Sequence, residues 1–238
     1  MRGVFLSAQW RDLLMVNYEV DPSLLRRYVP AGTSLDSYQG KTYISLVGFQ
    51  FRRTKLLGRF PVPLHINFDE VNLRFYVHRK NEDDDRRGVV FVAEVVPRRA
   101  IAATARLIYG ENYRCCAMKH RVERGSGRVR AEYQWRSGGR WCKVFAEAVG
   151  HFALPEAGSL EQFITEHYWG YSAQRDGGCL EYQVAHDPWE VWSAESGGLE
   201  GDVEAVYGAE FAAILRGRPA SAFLADGSPV TVFKGVRV

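Results

Sequence analysis

Residues 68–78 alternate between apolar and polar side chains along their whole length, which restricts the structures open to this part of the chain. Successive side chains of a β-strand point to opposite faces, so a period of two predicts a strand rather than a helix. One face of this strand is apolar and carries Val71, Leu73, Phe75 and Val77. The other face carries groups capable of chemistry: Glu70, Asn72, Arg74, Tyr76 and His78. We therefore expect a sheet at the core of the fold.

Much of the remaining chain also has the composition of strands. β-Branched and aromatic residues are concentrated in 41–53 and 88–97, and three alternating segments joined by glycine-containing turns lie within 114–150. Helical spacing of apolar residues predicts peripheral helices within five segments: 7–20, 21–30, 97–110, 159–172 and 202–217. The fold class is therefore α+β, dominated by an antiparallel sheet, and we expect one domain over residues 1–238.

The charge and the cysteine spacing exclude several classes of protein. The 31 basic and 28 acidic residues leave a net charge of +3, which gives no general attraction to nucleic acid or to an anionic membrane. No apolar run approaches the ~20 residues that span a bilayer, and the N-terminal segment lacks the apolar core of a signal peptide. The four cysteines show no C-x-x-C spacing, which favours reduced thiols in a cytoplasmic protein.

The common catalytic and cofactor motifs do not occur in this sequence. It contains no P-loop, no G-x-G-x-x-G, no H-E-x-x-H and no G-x-S-x-G. The six histidines are scattered without the spacing of metal ligands. We therefore expect neither a metal site nor a cofactor.

Two environments are open to the polar face of residues 68–78. In an ordinary half-exposed strand this face lies in water. If the sheet curls with this face inward, a carboxylate, an amide, a guanidinium and a phenol line a cavity, where burial requires pairing or a ligand. The spacing alone does not decide between these two environments.

Segments spread along the chain resemble the YqjF-like family, a family of domains of unknown function. The resemblance covers about residues 10–195 and includes WRDLL at 10–14, FDEVNLRFYV at 68–77, IAATARLIYGENYRCCAM at 101–118, SLEQFITEHYWGYS at 159–172 and VAHDPWEVW at 184–192. This family is grouped with the acetoacetate decarboxylase-like superfamily. The resemblance implies a strongly bent antiparallel sheet that closes into a barrel around an internal pocket, with a few peripheral helices. It also implies that Glu70 and Arg74 face inward.

In acetoacetate decarboxylases, a desolvated lysine forms a Schiff base with a β-keto acid. The stretch that resembles the neighbourhood of this lysine is 103–116, where Arg106 and Gly110 fit the pattern. Tyr113 stands at the position of the nucleophilic lysine, and Lys119 lies six residues beyond it. We therefore expect a related fold that does not use Schiff-base chemistry.

The candidate site follows from the polar strand face together with the resemblance. The candidate catalytic residues are Glu70, Tyr113 and His186, and the candidate ligand-binding residues are Asn72, Arg74, Tyr76 and Arg106. In these roles Glu70 accepts a proton, Tyr113 donates a hydrogen bond and Arg74 anchors a carboxylate. Structural alternatives stay open, because Tyr113 can be a packed core aromatic and His186 can cap a turn.

Two classes of function remain at this point. The first is a protein that binds a small, anionic organic molecule in the barrel, and that, as an enzyme, would be a lyase, hydratase or isomerase. The second is a non-catalytic binding or interaction protein whose barrel is filled by its own aromatic side chains. A cavity of about 300 Å³ or more would favour the first class. A homodimer is compatible with either class.

Overall fold

The structure of the chain is a computed structural model. It describes residues 3–61, 66–81 and 84–238, and all side chains in these ranges except those at 81 and 105–108. The strands in this part of the chain are β1 (Val4–Val20), β2 (Ser34–Leu35), β3 (Thr42–Leu56), β4 (Phe60–Pro61), β5 (Phe68–Asn81), β6 (Asp84–Val96), β7 (Tyr113–Cys115), β8 (Met118–Gly125), β9 (Arg128–Ser137), β10 (Arg140–Val149), β11 (Trp169–Ala173), β12 (Cys179–His186), β13 (Val191–Glu200), β14 (Ser221–Ala225), β15 (Pro229–Phe233) and β16 (Val236–Arg237). The helices are α1 (Pro22–Leu25), which continues into a 3-10 turn (Arg26–Tyr28), α2 (Arg99–Ile108), α3 (Leu160–Thr165) and α4 (Glu204–Leu215).

The strands form one extended sheet. Its main order is β4-β3-β5-β6-β11-β12-β15-β1-β14-β13-β10-β9-β8, and β1 also pairs with β3. These pairings link β1, β3, β5, β6, β11, β12 and β15 in a ring. Most pairings are antiparallel, whereas β6 pairs in parallel with β11 and with β7. The prediction of a mostly antiparallel α+β fold with few helices is therefore confirmed.

Apolar clusters lie on both faces of β5. One cluster contains Val71, Leu73 and Phe75 and extends to the meander formed by β8, β9 and β10. The other contains Tyr76 and lies on the face that also carries Glu70. Because both faces are covered, the side chains of Glu70, Asn72 and Arg74 in the middle of β5 are enclosed by protein.

The prediction of a helix at 7–20 is wrong, because this segment forms β1. The strand pairs with β3 on one side and with β14 and β15 on the other. Leu13 and Met15 pack on one face of the strand, and Leu14 and Val16 pack on the opposite face. A strand that is buried on both faces shows no apolar–polar alternation. The apolar residues of β1 also occur at the three- and four-residue spacings of a helix, which explains the wrong prediction.

The other predicted helices are present, although some are shorter than expected. α3 ends at Thr165, and the second half of its predicted segment forms β11. α2 is followed by Gly110 at a φ of 70°, a left-handed conformation that favours glycine. No helix in the described ranges is both long enough and apolar enough to cross a membrane.

Candidate functional site

A cavity of about 320 Å³ lies beside β5, and Glu70, Asn72 and Arg74 are part of its wall. Strands β1, β3, β6, β12 and β15 and helix α2 also contribute side chains to this wall. Most of the lining is aromatic or aliphatic, including Phe49 and Trp189. The volume is at the lower end of the ~300–1,000 Å³ that is typical of small-molecule sites. This cavity is the candidate functional site.

The polar face of β5 is buried from Glu70 to Tyr76, and it becomes partly exposed at His78. Glu70, Asn72 and Arg74 are 3%, 2% and 9% exposed, respectively. The half-exposed strand that the sequence pattern left open is therefore wrong. The inward-facing arrangement implied by the family resemblance is the one found.

Glu94 reaches the same cavity through an irregularity in β6. Leu73 on β5 pairs with Ala93 on β6, whereas the next residue, Arg74, pairs with Phe91. Residue 92 is therefore an extra residue in β6. As a result, Phe91 and Glu94 both line the cavity, although strict alternation would place them on opposite faces. The bulge is what adds a second buried carboxyl group to the wall.

A third carboxyl group follows α2. Glu111 lines the cavity directly after the glycine that follows the helix, and it accepts a hydrogen bond of 2.5 Å from the hydroxyl of Tyr182 on β12. β7 then pairs in parallel with β6, which places Tyr113 opposite Glu94. The segment that follows α2 thus meets β12 and β6 beside the carboxyl groups of Glu70 and Glu94.

We refer to Glu70, Glu94 and Glu111 as the carboxyl cluster. Asn72 Nδ2 donates a hydrogen bond of 3.1 Å to Glu70 Oε1, and the hydroxyl of Tyr113 donates one of 3.4 Å to Glu70 Oε2. Glu94 Oε2 and Asn72 Oδ1 are buried and have no hydrogen-bond partner among the described residues. Buried polar atoms are nearly always hydrogen bonded, so these two acceptors suit a ligand that donates hydrogen bonds.

Burial raises the pKa of every member of the carboxyl cluster. Loss of hydration, with the nearby charge of Glu111, raises the pKa of Glu70 to about 8 against the lowering effect of its hydrogen bonds. Burial raises the pKa of Glu111 to about 7 and that of Glu94 well above its usual range. Near neutral pH the cluster therefore holds protons that it can exchange, which is the property required of a general acid or base.

Arg74 is the only basic residue among the described residues that line the cavity. Its Nη2 donates a hydrogen bond of 3.1 Å to the carbonyl oxygen of Ile164 and lies 3.9 Å from Met15 Sδ. Its Nε is buried and has no hydrogen-bond partner in the described part of the chain. Arg74 is therefore a buried cation in the cavity wall, and its Nε–H is still able to donate a hydrogen bond.

Tyr76, predicted to bind ligand, is not among the described residues of the cavity wall. Its hydroxyl lies 2.5 Å from Ser45 Oγ, and its ring centroid is 4.7 Å from that of His167. His167 Nε2 is in turn 3.1 Å from an oxygen of Asp36. Tyr76 thus belongs to a buried polar network next to the site.

The structure also places His186 outside the described wall of the cavity. Its Nδ1–H donates a hydrogen bond of 2.9 Å to the carbonyl oxygen of Asp187. Its ring stacks at 4.2 Å on Trp189, which does line the cavity, and burial lowers its pKa. Arg106 lies on α2, but its side chain is outside the described residues.

All six lysines are among the described residues, and none of them lines the cavity. Lys119, the lysine nearest to the position of the Schiff-base lysine, lies 4.6 Å from the ring centroid of Trp141 and is exposed. The cavity therefore contains carboxyl, phenol, amide and guanidinium groups without an amine. The described residues also include no group of three or more His, Cys, Asp or Glu side chains arranged to hold a metal ion.

The sequence reasoning missed Glu111 and Tyr182, and it considered Glu94 only as an ion-pair partner. The signal for Glu94 was its position in a strand that reads as almost continuously apolar, where a single carboxylate is unusual. Glu111 lies in a loop, where no periodicity indicates direction. Only the fold brings these residues to Glu70.

Comparisons with known sequences match most of this chain. A family model, DUF2071, described as "Uncharacterized conserved protein (COG2071)", matches residues 7–229. The uncharacterized protein YqjF of Bacillus subtilis (strain 168) is 29% identical over 201 residues, which cover 82% of this chain and 78% of YqjF. The family resemblance identified in the sequence is therefore confirmed.

Solved structures with a similar fold have low sequence identity to this chain. Acetoacetate decarboxylase from Legionella pneumophila superposes with a TM-score of 0.66 at 13% identity, covering 98% of this chain and 87% of that structure. The enduracididine biosynthesis enzyme MppR complexed with pyruvate gives a TM-score of 0.68 at 15% identity, covering 100% and 91%. These likenesses show that the fold is shared.

Proposed function

The chain belongs to the DUF2071 family, and we propose that it binds a small organic molecule with an anionic group in the cavity beside β5. The observation that carries the proposal is Arg74, a buried guanidinium at the cavity wall that forms no ion pair with a described acidic side chain. Leaving a buried cation without a counter-charge costs several kcal/mol. A carboxylate at Arg74 would recover this energy through charge-assisted hydrogen bonds.

Two further observations support the same proposal. The cavity volume of about 320 Å³ favours a ligand site over an interior filled by the protein's own side chains. The neighbour MppR, which has the same fold, was solved with pyruvate, a small organic anion. The closed barrel expected from the family resemblance is part of this proposal, and the ring of seven paired strands supports it.

The chemistry that this site supports is proton transfer. Glu70 acts as the acid or base, because its raised pKa of about 8 lets it hold and release a proton near neutral pH. Tyr113, within 3.4 Å of Glu70, assists by donating a hydrogen bond. As an enzyme, the protein would therefore catalyse a lyase, hydratase or isomerase step in which no lysine imine forms.

A thermal-shift screen with pyruvate, acetoacetate and short aliphatic acids tests the proposal. A ligand at 100 times its dissociation constant adds about 2.7 kcal/mol, which corresponds to a rise of about 5–10 °C in Tm for a chain of this size. Arg74→Gln should abolish the rise, whereas Arg121→Ala on the exposed surface should leave it unchanged.

Circular dichroism establishes whether Arg74→Gln is folded. A folded variant that binds the same acids with unchanged affinity would refute the anchoring role of Arg74. A panel in which no acid stabilises the unchanged protein would refute anion binding itself.

A further inference from the structure

The part of the cavity wall formed by the carboxyl cluster is rich in hydrogen-bond acceptors. Three buried side-chain atoms lack partners among the described residues here. Glu94 Oε2 and Asn72 Oδ1 lie on paired residues of β6 and β5 that are 1% and 2% exposed, and the third atom is the hydroxyl oxygen of Tyr109. Glu70 and Glu111 already accept hydrogen bonds from neighbouring side chains. Asn72 Oδ1 can only accept, and Glu94 Oε2 accepts once its carboxyl group has lost its proton, so a ligand group that donates hydrogen bonds satisfies both atoms.

This part of the wall also lacks positive charge. None of the three carboxyl groups forms an ion pair with a described basic side chain, and Arg74 is bound to the carbonyl oxygen of Ile164. Arg74 and Glu70 are on the same face of β5, four residues apart, which separates their Cα atoms by about 13 Å. The cavity is therefore polarised, with a cation at one position along β5 and acidic groups at the other.

Resting on the function proposed above, we propose that the ligand is amphoteric, with its anionic group at Arg74 and a protonated nitrogen at the carboxyl cluster. An ammonium, amidinium or guanidinium group combines positive charge with several N–H donors, so it satisfies Glu94 Oε2 and Asn72 Oδ1 at once. A metal ion is a poorer match, because the described residues contain no arrangement of three ligands around one point.

Binding of such a ligand is linked to protons. In the free protein, burial keeps the pKa of Glu70 and Glu111 near or above neutrality, so these groups are partly or mostly protonated. A cation placed beside them lowers the pKa of each and favours the carboxylate form. The protein should therefore release about one proton for each ligand bound at pH 7. A ligand with only an anionic group would cause no such release at the cluster.

Isothermal titration calorimetry with matched probes tests the inference. The probes are ω-aminocarboxylates from 4-aminobutyrate to 8-aminooctanoate, the carboxylates of equal length without the amine, and the amines without the carboxylate. At least one aminocarboxylate should bind about tenfold or more tightly than both of its matched compounds. Titrations in phosphate and Tris buffers, which differ in ionisation enthalpy, should show the release of protons.

A substitution in the cluster tests the position of the nitrogen. Glu94→Gln keeps the shape of the side chain but removes its capacity for charge, so it should weaken aminocarboxylate binding about tenfold or more and leave carboxylate binding unchanged. Glu94 is 1% exposed and burial raises the pKa of its carboxyl group, which disfavours the charged form, so the fold should tolerate the uncharged amide. Glu123→Gln, at an exposed surface carboxylate, is the control and should leave both affinities unchanged.

The failures of the two proposals are distinguishable. If carboxylates bind as tightly as aminocarboxylates and depend on Arg74, the amphoteric ligand is refuted and the anion site stands. If amines bind as tightly as aminocarboxylates and Arg74→Gln has no effect, the anion site is refuted instead. If none of the three series binds, both proposals are overturned for ligands of this size.

Discussion

The protonated state of Glu70 makes folding stability depend on pH in a way that one substitution can measure. Burial raises the pKa of this carboxyl group from the ordinary 4.5 of a glutamate to about 8. Because the folded protein holds the proton more tightly than the unfolded chain, the stabilisation is complete below pH 4.5 and is lost as the pH rises towards 8. A pKa difference of about 3.5, at ~1.4 kcal/mol for each tenfold change, amounts to roughly 5 kcal/mol.

Glu70→Gln should remove this dependence, since an amide of nearly the same shape does not ionise. The free energy of unfolding of the variant, relative to the unchanged protein, should therefore rise by roughly 4 kcal/mol between pH 5 and pH 8.5. Unfolding in guanidinium chloride, followed by tryptophan fluorescence at a series of pH values, measures this difference. Comparing the two proteins at each pH cancels the titration of the groups that do not interact with Glu70.

Glu123→Gln, at an exposed carboxylate, serves as the control and should change the free energy of unfolding by no more than about 0.5 kcal/mol. If the difference between Glu70→Gln and the unchanged protein stays constant within about 1 kcal/mol, Glu70 ionises normally in the folded state. The raised pKa of Glu70 would then be refuted, together with the acid–base role assigned to this residue.

Three further outcomes can be measured independently. Gly170→Ala should lower the free energy of unfolding, measured by chemical denaturation, by about 1–3 kcal/mol, because the new Cβ would lie 2.2 Å from the ring of Tyr182. Gly125→Ala is the control and should leave the free energy of unfolding unchanged, because a Cβ there meets open space. Borohydride reduction in the presence of pyruvate should add no mass to the protein by mass spectrometry, and an adduct on any lysine would contradict the composition of the cavity wall. His167 should keep a neutral ring in NMR titrations from pH 8 to pH 5, since burial lowers its pKa to about 4 although the hydrogen bond with Asp36 raises it. A midpoint near the ordinary 6.5 would contradict the burial of the ring.

The strand that carries the site was predictable because its two faces differ in chemistry. In β5 every second side chain is apolar, so the sequence alone indicated which residues share a face. It did not indicate whether the polar face meets water or protein, because that depends on strands far away in the chain. The family resemblance supplied this information, and the burial of Glu70 and Arg74 agrees with it.

Other parts of the site and fold depended on effects that a local pattern does not contain. β1 is covered on both faces, so its apolar run at 13–16 lost the alternation that identifies a strand. The bulge in β6 changes the direction of Glu94 relative to Phe91, and nothing in the residues themselves marks the extra position. Glu111 lies in a loop whose direction is set by the pairing of β7 with β6.

The position of β1 has a consequence for the synthesis of the chain. On a ribosome, β1 and β3 emerge early and can pair as soon as both are free. The other partners of β1 are β14 and β15, which begin at Ser221 and Pro229. At ~5–20 residues per second these partners follow on the order of ten seconds later, so one edge of β1 stays open throughout that interval. A nascent chain that stalls before Ser221 therefore presents an apolar, unpaired strand edge. Such an edge can be bound by chaperones or can pair with another chain and start aggregation.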